Sequence, residues 1–265
     1  MNTKKGFILT LGAIGLTLLT AGCRNAPASQ SEEDAQAKKL LQGYWTLDDG
    51  EAVWEARGDS IYYPDATSLP VRFWIVSDSL YLEGSHVNSY KIIKQADHLL
   101  RFCNQSGDEV KLVKGNSKQL QAQFTQPKTY AINTFNTYDA DTTVNNDMGY
   151  FDSKIHAETT SDPIIKSAYN DQGVEVDNRY LDNMVRITIT NHGAITYQHD
   201  FRKAEFSEFI PSQYFAKCML RGITFSHASK DALYYDVSIG IPDASTTYCI
   251  ELRINSNGKV SKHLK

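Results

Sequence analysis

Gly58-Asp59-Ser60-Ile61-Tyr62-Tyr63, Ser77-Asp78-Ser79-Leu80-Tyr81-Leu82, Ala96-Asp97-His98-Leu99-Leu100 and Gly107-Asp108-Glu109-Val110-Lys111-Leu112 repeat one short pattern. Each sets a small residue and an aspartate ahead of an apolar-rich run. The small residue relaxes the φ restriction of a tight turn, and the aspartate bonds its own backbone there. The run that follows alternates in the manner of a strand with one buried face. Tyr44 to Leu47, Ala52 to Glu55, Val71 to Val76 and Ser89 to Ile93 supply the partner strands. The spacing predicts an antiparallel meander of about eight strands between Gly43 and Lys114. So many strands in so short a chain favour closure, because closure removes every exposed edge.

Outward from this core the chain divides by composition. Residues 24 to about 40 are rich in Ala, Ser, Gln and acids without an apolar period, and residues 23–39 read as a flexible tether. The meander occupies 40–124. A polar Asn/Thr/Asp-rich stretch with Pro127 reads as a linker over 125–142. A second β-rich domain is expected over 143–265, with strands at Asn183 to Thr190, Ala194 to His199, Gly222 to Ser226, Ala232 to Ile239 and Thr246 to Ile254. Pro211 suits the first turn of a short helix carrying Tyr214, Phe215 and Cys218 inward. The fold class is mainly β, a small meander or barrel followed by a β-sandwich-like domain with little helix.

The first 22 residues read as a signal. Lys4 and Lys5 precede the apolar run Phe7 to Leu19, which ends at Thr20-Ala21-Gly22-Cys23. Thirteen apolar or small residues fall short of the ~20 that a membrane-spanning helix needs. The cysteine after Gly22 marks a lipoprotein signal, with Cys23 acylated and becoming the first residue. Its acyl chains would anchor the protein. Arg24 after the cysteine, rather than an aspartate, favours the outer membrane, at its periplasmic face or the cell surface. Cell-envelope localisation is therefore expected.

Loss of Lys4 and Lys5 with the signal moves the net charge from −4 to −6. The sequence shows no basic stripe, so nucleic acid is not expected as a partner. Beyond Cys23 the cysteines are Cys103, Cys218 and Cys249, an odd number that forbids complete pairing. Cys218 and Cys249, both in apolar contexts, form the best-placed pair for a disulfide. None of the seven histidines lies in a metal-binding spacing, and no metal or cofactor is expected.

Catalytic patterns are sparse. GxSxG is absent, and Ser226 and His227, as strand neighbours, are expected on opposite faces. Two acidic-amide segments offer hard oxygen ligands: Asp139, Asp141, Asn145, Asn146 and Asp147, and a second from Asp171 through Glu175, Asp177, Asn178 and Asp182 to Asn183. Neither matches the twelve-residue calcium-loop pattern, and solvated acidic loops are common. In the barrel, Val71, Phe73 and Ile75 are expected inward and Trp74 and Val76 outward, sharing an outer face with Tyr62, Tyr81 and Ile93. Tyr62, Trp74 and Tyr81 are the candidate ligand-binding residues, for a small molecule, a glycan or a partner protein. The commoner alternative is that the second domain packs on them.

Two resemblances add to this reading. Gly43-Tyr44-Trp45 ahead of the meander resembles the Gly-x-Trp that opens lipocalin-like barrels. The C-terminal half resembles bacterial envelope lipoproteins grouped as domain of unknown function family 4738. It does so through Thr142-Thr143-Val144, Tyr150-Phe151-Asp152, Val176-Asp177-Asn178-Arg179, Val185 to Ile189, Tyr197 to Phe201 and Asn257-Gly258. That resemblance implies a lipoprotein and a sandwich-like domain, and no activity. The expectation is a lipid-anchored envelope protein acting as a non-enzymatic binding or structural module. The alternative is an envelope or polysaccharide hydrolase using paired carboxylates.

Overall fold

A computed structural model describes residues 32–125, 127–129, 131–133, 137–147 and 149–265. The expected signal at 1–22 and Cys23 lie outside the described residues. Eight strands follow in chain order, β1 (Gly43–Thr46), β2 (Ala52–Arg57), β3 (Ser60–Tyr62), β4 (Val71–Val76), β5 (Ser79–Glu83), β6 (Val87–Ala96), β7 (Leu99–Cys103) and β8 (Glu109–Gly115). Each pairs antiparallel with the next, and β8 returns to β1 to close a barrel. The repeated small-residue/Asp phrases sit at its turns. Gly58 and Gly107 take positive φ, and Ser77 does so without being a glycine (φ 54°). Alternation then decides burial. On β4, Val71, Phe73 and Ile75 face inward, while Arg72, Trp74 and Val76 face out.

Eight strands enclose a lumen just wide enough for side chains or one small ligand. Here Trp45, Trp54, Phe73, Tyr90 and Phe102 fill it, each at most 1% exposed. The helix α1 (Ala35–Leu41) closes one end. Asp34 caps it through Oδ1 to the Ala37 N–H, and the Asp34 N–H donates to the Ile75 carbonyl at 2.8 Å. Leu41 is fully buried, and its carbonyl accepts from Trp45 Nε1 at 2.6 Å. Lys114 lies over the Trp45 ring and donates to the Leu40 carbonyl, with its pKa lowered by burial. The tether expected to reach residue 39 thus stops earlier, because Ala37 and Leu41 have apolar surface to cover. A further helix, α2 (Lys118–Phe124), packs outside β2, burying Leu120 and setting Phe124 5.4 Å from Tyr44.

The C-terminal part is a two-sheet sandwich. One sheet runs β12-β11-β10-β9, from β9 (Thr137–Asn146), β10 (Gly149–Tyr169), β11 (Glu175–Asn191) and β12 (Ala194–Arg202). The other runs β13-β14-β15-β16, from β13 (Met219–Ala228), β14 (Ala232–Gly240), β15 (Thr247–Asn255) and β16 (Val260–Leu264). One core joins them, including Ile155, Val185, Phe201, Ile223, Tyr235 and Leu252. β9 begins inside the stretch expected to be linker, because Ala140 and Val144 alternate inward onto that core. The short helix after Pro211 is present as α3 (Ser212–Phe215). Phe215 and Cys218 pack inward, but Tyr214 is exposed.

β10 and β11 are longer than the sandwich needs. Phe151 to Glu158 pairs with Met184 to Asn191 inside the sheet. After an irregularity between Thr159 and Pro163, Pro163 to Tyr169 pairs with Glu175 to Leu181. β9 and β12 pair only with the first of these halves. The second half is a two-stranded arm, and an isolated ribbon of this kind is marginal in water. Its base rests on Met219 of β13 and on Ile132, and its tip packs on the barrel.

Candidate functional site

The arm turns at Asn170 to Gly173 and enters the barrel at the end opposite α1. Asn170 Oδ1 accepts from the Gln172 and Val174 N–H groups, and Gly173 holds φ at +68° where a Cβ would stand 2.5 Å from Asn104 Nδ2. Val174 and Val176 then join the barrel core at 0% and 8% exposure. Each contributes about 1.5–3 kcal/mol of burial.

The alternate residues, Glu175 and Asp177, meet the barrel loops instead. Asp177 Oδ2 accepts from the Ser85 N–H at 2.5 Å and Oδ1 from Ser167 Oγ at 2.6 Å. The Asp177 carbonyl accepts from the Leu69 N–H at 2.7 Å. Glu175 holds His86 Nδ1 at 3.0 Å and Asn88 Nδ2 at 2.6 Å, and its N–H donates to Tyr90 Oη. A Cβ on Gly84 would come within 2.6 Å of Asp177 Oδ2, so glycine is what permits the approach. The Tyr63 hydroxyl is buried nearby without a hydrogen-bond partner, and burial, with Tyr90 and Asp177 next, pushes its pKa far up. Glu175 and Asp177 border a cavity of only about 10 Å³, about one water's room. Both carboxylates are bound to donors, and their surroundings offer no space for a sugar ring.

The three candidate ligand-binding residues do share the outer wall. Trp74 and Tyr81 pair across β4 and β5, their rings stacked with centroids 5.4 Å apart and planes 3° apart. The Arg72 guanidinium lies over Trp74 at 5.5 Å, and that of Arg57 over Tyr62 at 4.4 Å. Both arginine side chains are about two-thirds exposed, at 67% and 64%. Every ring and ion-pair partner found for these residues belongs to the barrel. The C-terminal domain meets the barrel at its mouth, through the β3–β4, β5–β6 and β7–β8 loops.

Other expectations are corrected by geometry. Cys218 and Cys249 are free: Cys218 is buried in the sandwich core, whereas Cys249 is exposed on β15. Cys249 pairs with Ser238 on β14, which stands between it and β13, so the two thiols are separated by a strand and by opposite faces. Asp139, Asp141, Asn145 and Asn146 form no loop but lie along β9; Asp139 binds His156 Nδ1 at 2.7 Å and Asn146 donates to the Ser229 carbonyl. The second acidic segment also disperses. Asp182 Oδ1 accepts from the Asn183 and Leu220 N–H groups, fastening β13 to β11 far along the strand from Glu175. Among the described residues no group of three or more His, Cys, Asp or Glu could hold a metal. A bulge between Phe225 and His227 defeats strict alternation, so Ser226 Oγ stands 3.4 Å from His227 Nδ1. The imidazole there stacks on Tyr234.

Arg57, Arg72 and the arm tip escape a sequence reading centred on aromatics and acids. The turn Asn170-Asp171-Gln172-Gly173 followed by Val-Glu-Val-Asp is the hairpin signal that could have revealed the arm. Comparison with the curated proteins finds no match. The family described as Domain of unknown function (DUF4738) matches residues 117–262, which run from the start of α2 into β16 and include the whole arm. That span is more than half of the chain, and the chain belongs to this family.

Proposed function

We propose that the chain is a lipid-anchored cell-envelope protein, held at the outer membrane by acyl groups on Cys23, and that it works as a non-enzymatic interaction module. Its contact surface is the outer wall of the barrel around Tyr62, Trp74 and Tyr81, not the lumen. One observation carries this reading: the lumen is filled by the barrel's own aromatic side chains, and its mouth by Val174 and Val176. A ligand in the usual place for a small barrel would have to displace the arm.

Two measurements on the full chain test it. Cys23→Ser should move the protein from the membrane to the soluble fraction of expressing cells; an unchanged distribution contradicts the anchor. N-phenyl-1-naphthylamine, a neutral apolar probe, should show no saturable binding to the folded protein. Stoichiometric uptake that quenches the buried Trp45 and Trp54 would return function to the lumen.

A further inference from the structure

β8 places a lysine where its alternation calls for an apolar residue. Val110 and Leu112 face the lumen, and Lys114 continues their parity at the end that α1 closes. It stands opposite Trp45 across the β1–β8 seam, with Nζ 5.0 Å from the ring centroid, and donates to the Leu40 carbonyl at 2.9 Å. Lys38 and Lys111 are held by acids, the first by Glu33 and Asp59 and the second by Asp48. Lys114 has no carboxylate at ion-pair distance among the described residues. Burial disfavours its ammonium and outweighs the pull of Asp97, so its pKa falls. The uncharged amine keeps a lone pair, and a lysine desolvated in this way is a nucleophile.

A cleft lies beside this amine. Gln36, Lys39 and Leu40 of α1, Asp97 of the β6–β7 turn and Lys114 itself line a space of about 530 Å³. Small-molecule sites run from about 300 to 1,000 Å³, so the cleft is of ligand size. Its two lysines differ in setting: Lys39 is exposed, whereas Lys114 is half-buried against Trp45. Lys39 offers a compact ammonium to an anionic group. Lys114 offers a nitrogen that can form a bond.

We infer that the cleft beside α1 is a reversible covalent site for a small aldehyde bearing an anionic group, with Lys114 forming the imine and Lys39 holding the anion. The Lys114 Nζ lone pair adds to the carbonyl carbon, and the carbonyl π pair moves to oxygen, which takes a proton. The resulting carbinolamine loses that oxygen as water while nitrogen gives up its protons and the C=N bond forms. Nothing is oxidised or reduced, and water reverses the step. The site uses none of the outer-wall residues Tyr62, Trp74 and Tyr81, so it goes beyond the reading of that wall.

The test treats the full chain with pyridoxal 5′-phosphate, or with pyridoxal lacking the phosphate, traps imines with borohydride and maps the labelled lysines by mass spectrometry. Lys114 should be labelled by the phosphate at about tenfold lower concentration than the exposed Lys91 and Lys118, and its labelling should level off at lower pH than theirs. Lys39→Gln, at an exposed position, should keep the thermal midpoint, weaken labelling of Lys114 by the phosphate about tenfold and leave labelling by pyridoxal unchanged. Lys114→Arg keeps a cation over Trp45 and should abolish the imine absorbance at low reagent. Labelling of Lys114 no easier than that of Lys91 and Lys118 overturns the covalent site. Equal labelling by both reagents, untouched by Lys39→Gln, overturns the anionic class.

Discussion

The barrel and the sandwich bury similar side chains by opposite means. The barrel closes short strands of 3 to 10 residues on themselves and needs no second layer. The sandwich uses two open sheets, and its longest strands, of 21 and 17 residues, run beyond it to form the arm. The difference shows where each body depends on the other. The sandwich core is complete without the barrel, whereas the barrel core includes two valines that the sandwich supplies. Substitutions at the arm tip should therefore behave as barrel-core substitutions.

Val174→Asp gives the largest expected effect, because it buries an unpaired charge in the barrel. A loss of about 4 kcal/mol or more is expected from the urea midpoint followed by tryptophan fluorescence. Ile195→Asp, on the exposed edge of β12, should stay within about 0.5 kcal/mol. A tip substitution as mild as the edge one would break the comparison.

Asp182→Ala tests the sandwich's own fastening. It removes the carboxylate that accepts from the buried Asn183 and Leu220 N–H groups and should cost about 2–3 kcal/mol. Gly84→Ala should cost about 1–3 kcal/mol, since its Cβ would stand 2.6 Å from Asp177 Oδ2 and push the arm from the mouth. Thermal midpoints of the two variants, each paired with Val174→Ala, would separate these sites. Gly84 should couple to Val174 and Asp182 should not.

The smallest effect is a pH dependence. Burial acts to raise the Asp65 pKa, but hydrogen bonds from Ser68 and Thr67 outweigh it and hold the carboxyl below the usual range. A carboxyl depressed in the folded state stabilises above its unfolded pKa, and the contribution disappears as pH falls through the folded value. Wild type should therefore lose stability relative to Asp65→Ala as pH falls through the carboxylate range, by well under about 1 kcal/mol because the exposed carboxyl is screened by solvent. An unchanged difference from pH 7 to pH 3 would show that this turn, next to the Ser68–Asn178 bridge, is not held by the carboxylate.

The barrel was legible because its signals are local. Each strand and its turn fit within about ten residues, and alternation along β4 and β5 identifies the inward face residue by residue. Trp74 outward and Phe73 inward follow from that period alone. The arm was hidden for two reasons. Pro163 argues against a strand, yet it sits where the β10–β11 pairing shifts. Glu175 and Asp177 resemble a solvated acidic segment, yet both lie against the barrel loops with neutral donors. The cation over Tyr62 is a third case: Arg57 reaches that ring across the β2–β3 pair, a contact that only the strand register fixes. Of the candidate site, the aromatic residues could be read in advance and the arginines that lie on them could not.

Hydrogen exchange of the full chain, followed by mass spectrometry, tests most directly whether the arm is part of the barrel. Amides of the tip, residues 174–177, should be as protected as those of β4 and β5, because the Glu175 N–H is bound to Tyr90 and the neighbouring valines lie in the core. Exchange at the tip as fast as in an exposed turn, with β4 and β5 still protected, would mean that the mouth stands open and would contradict the account.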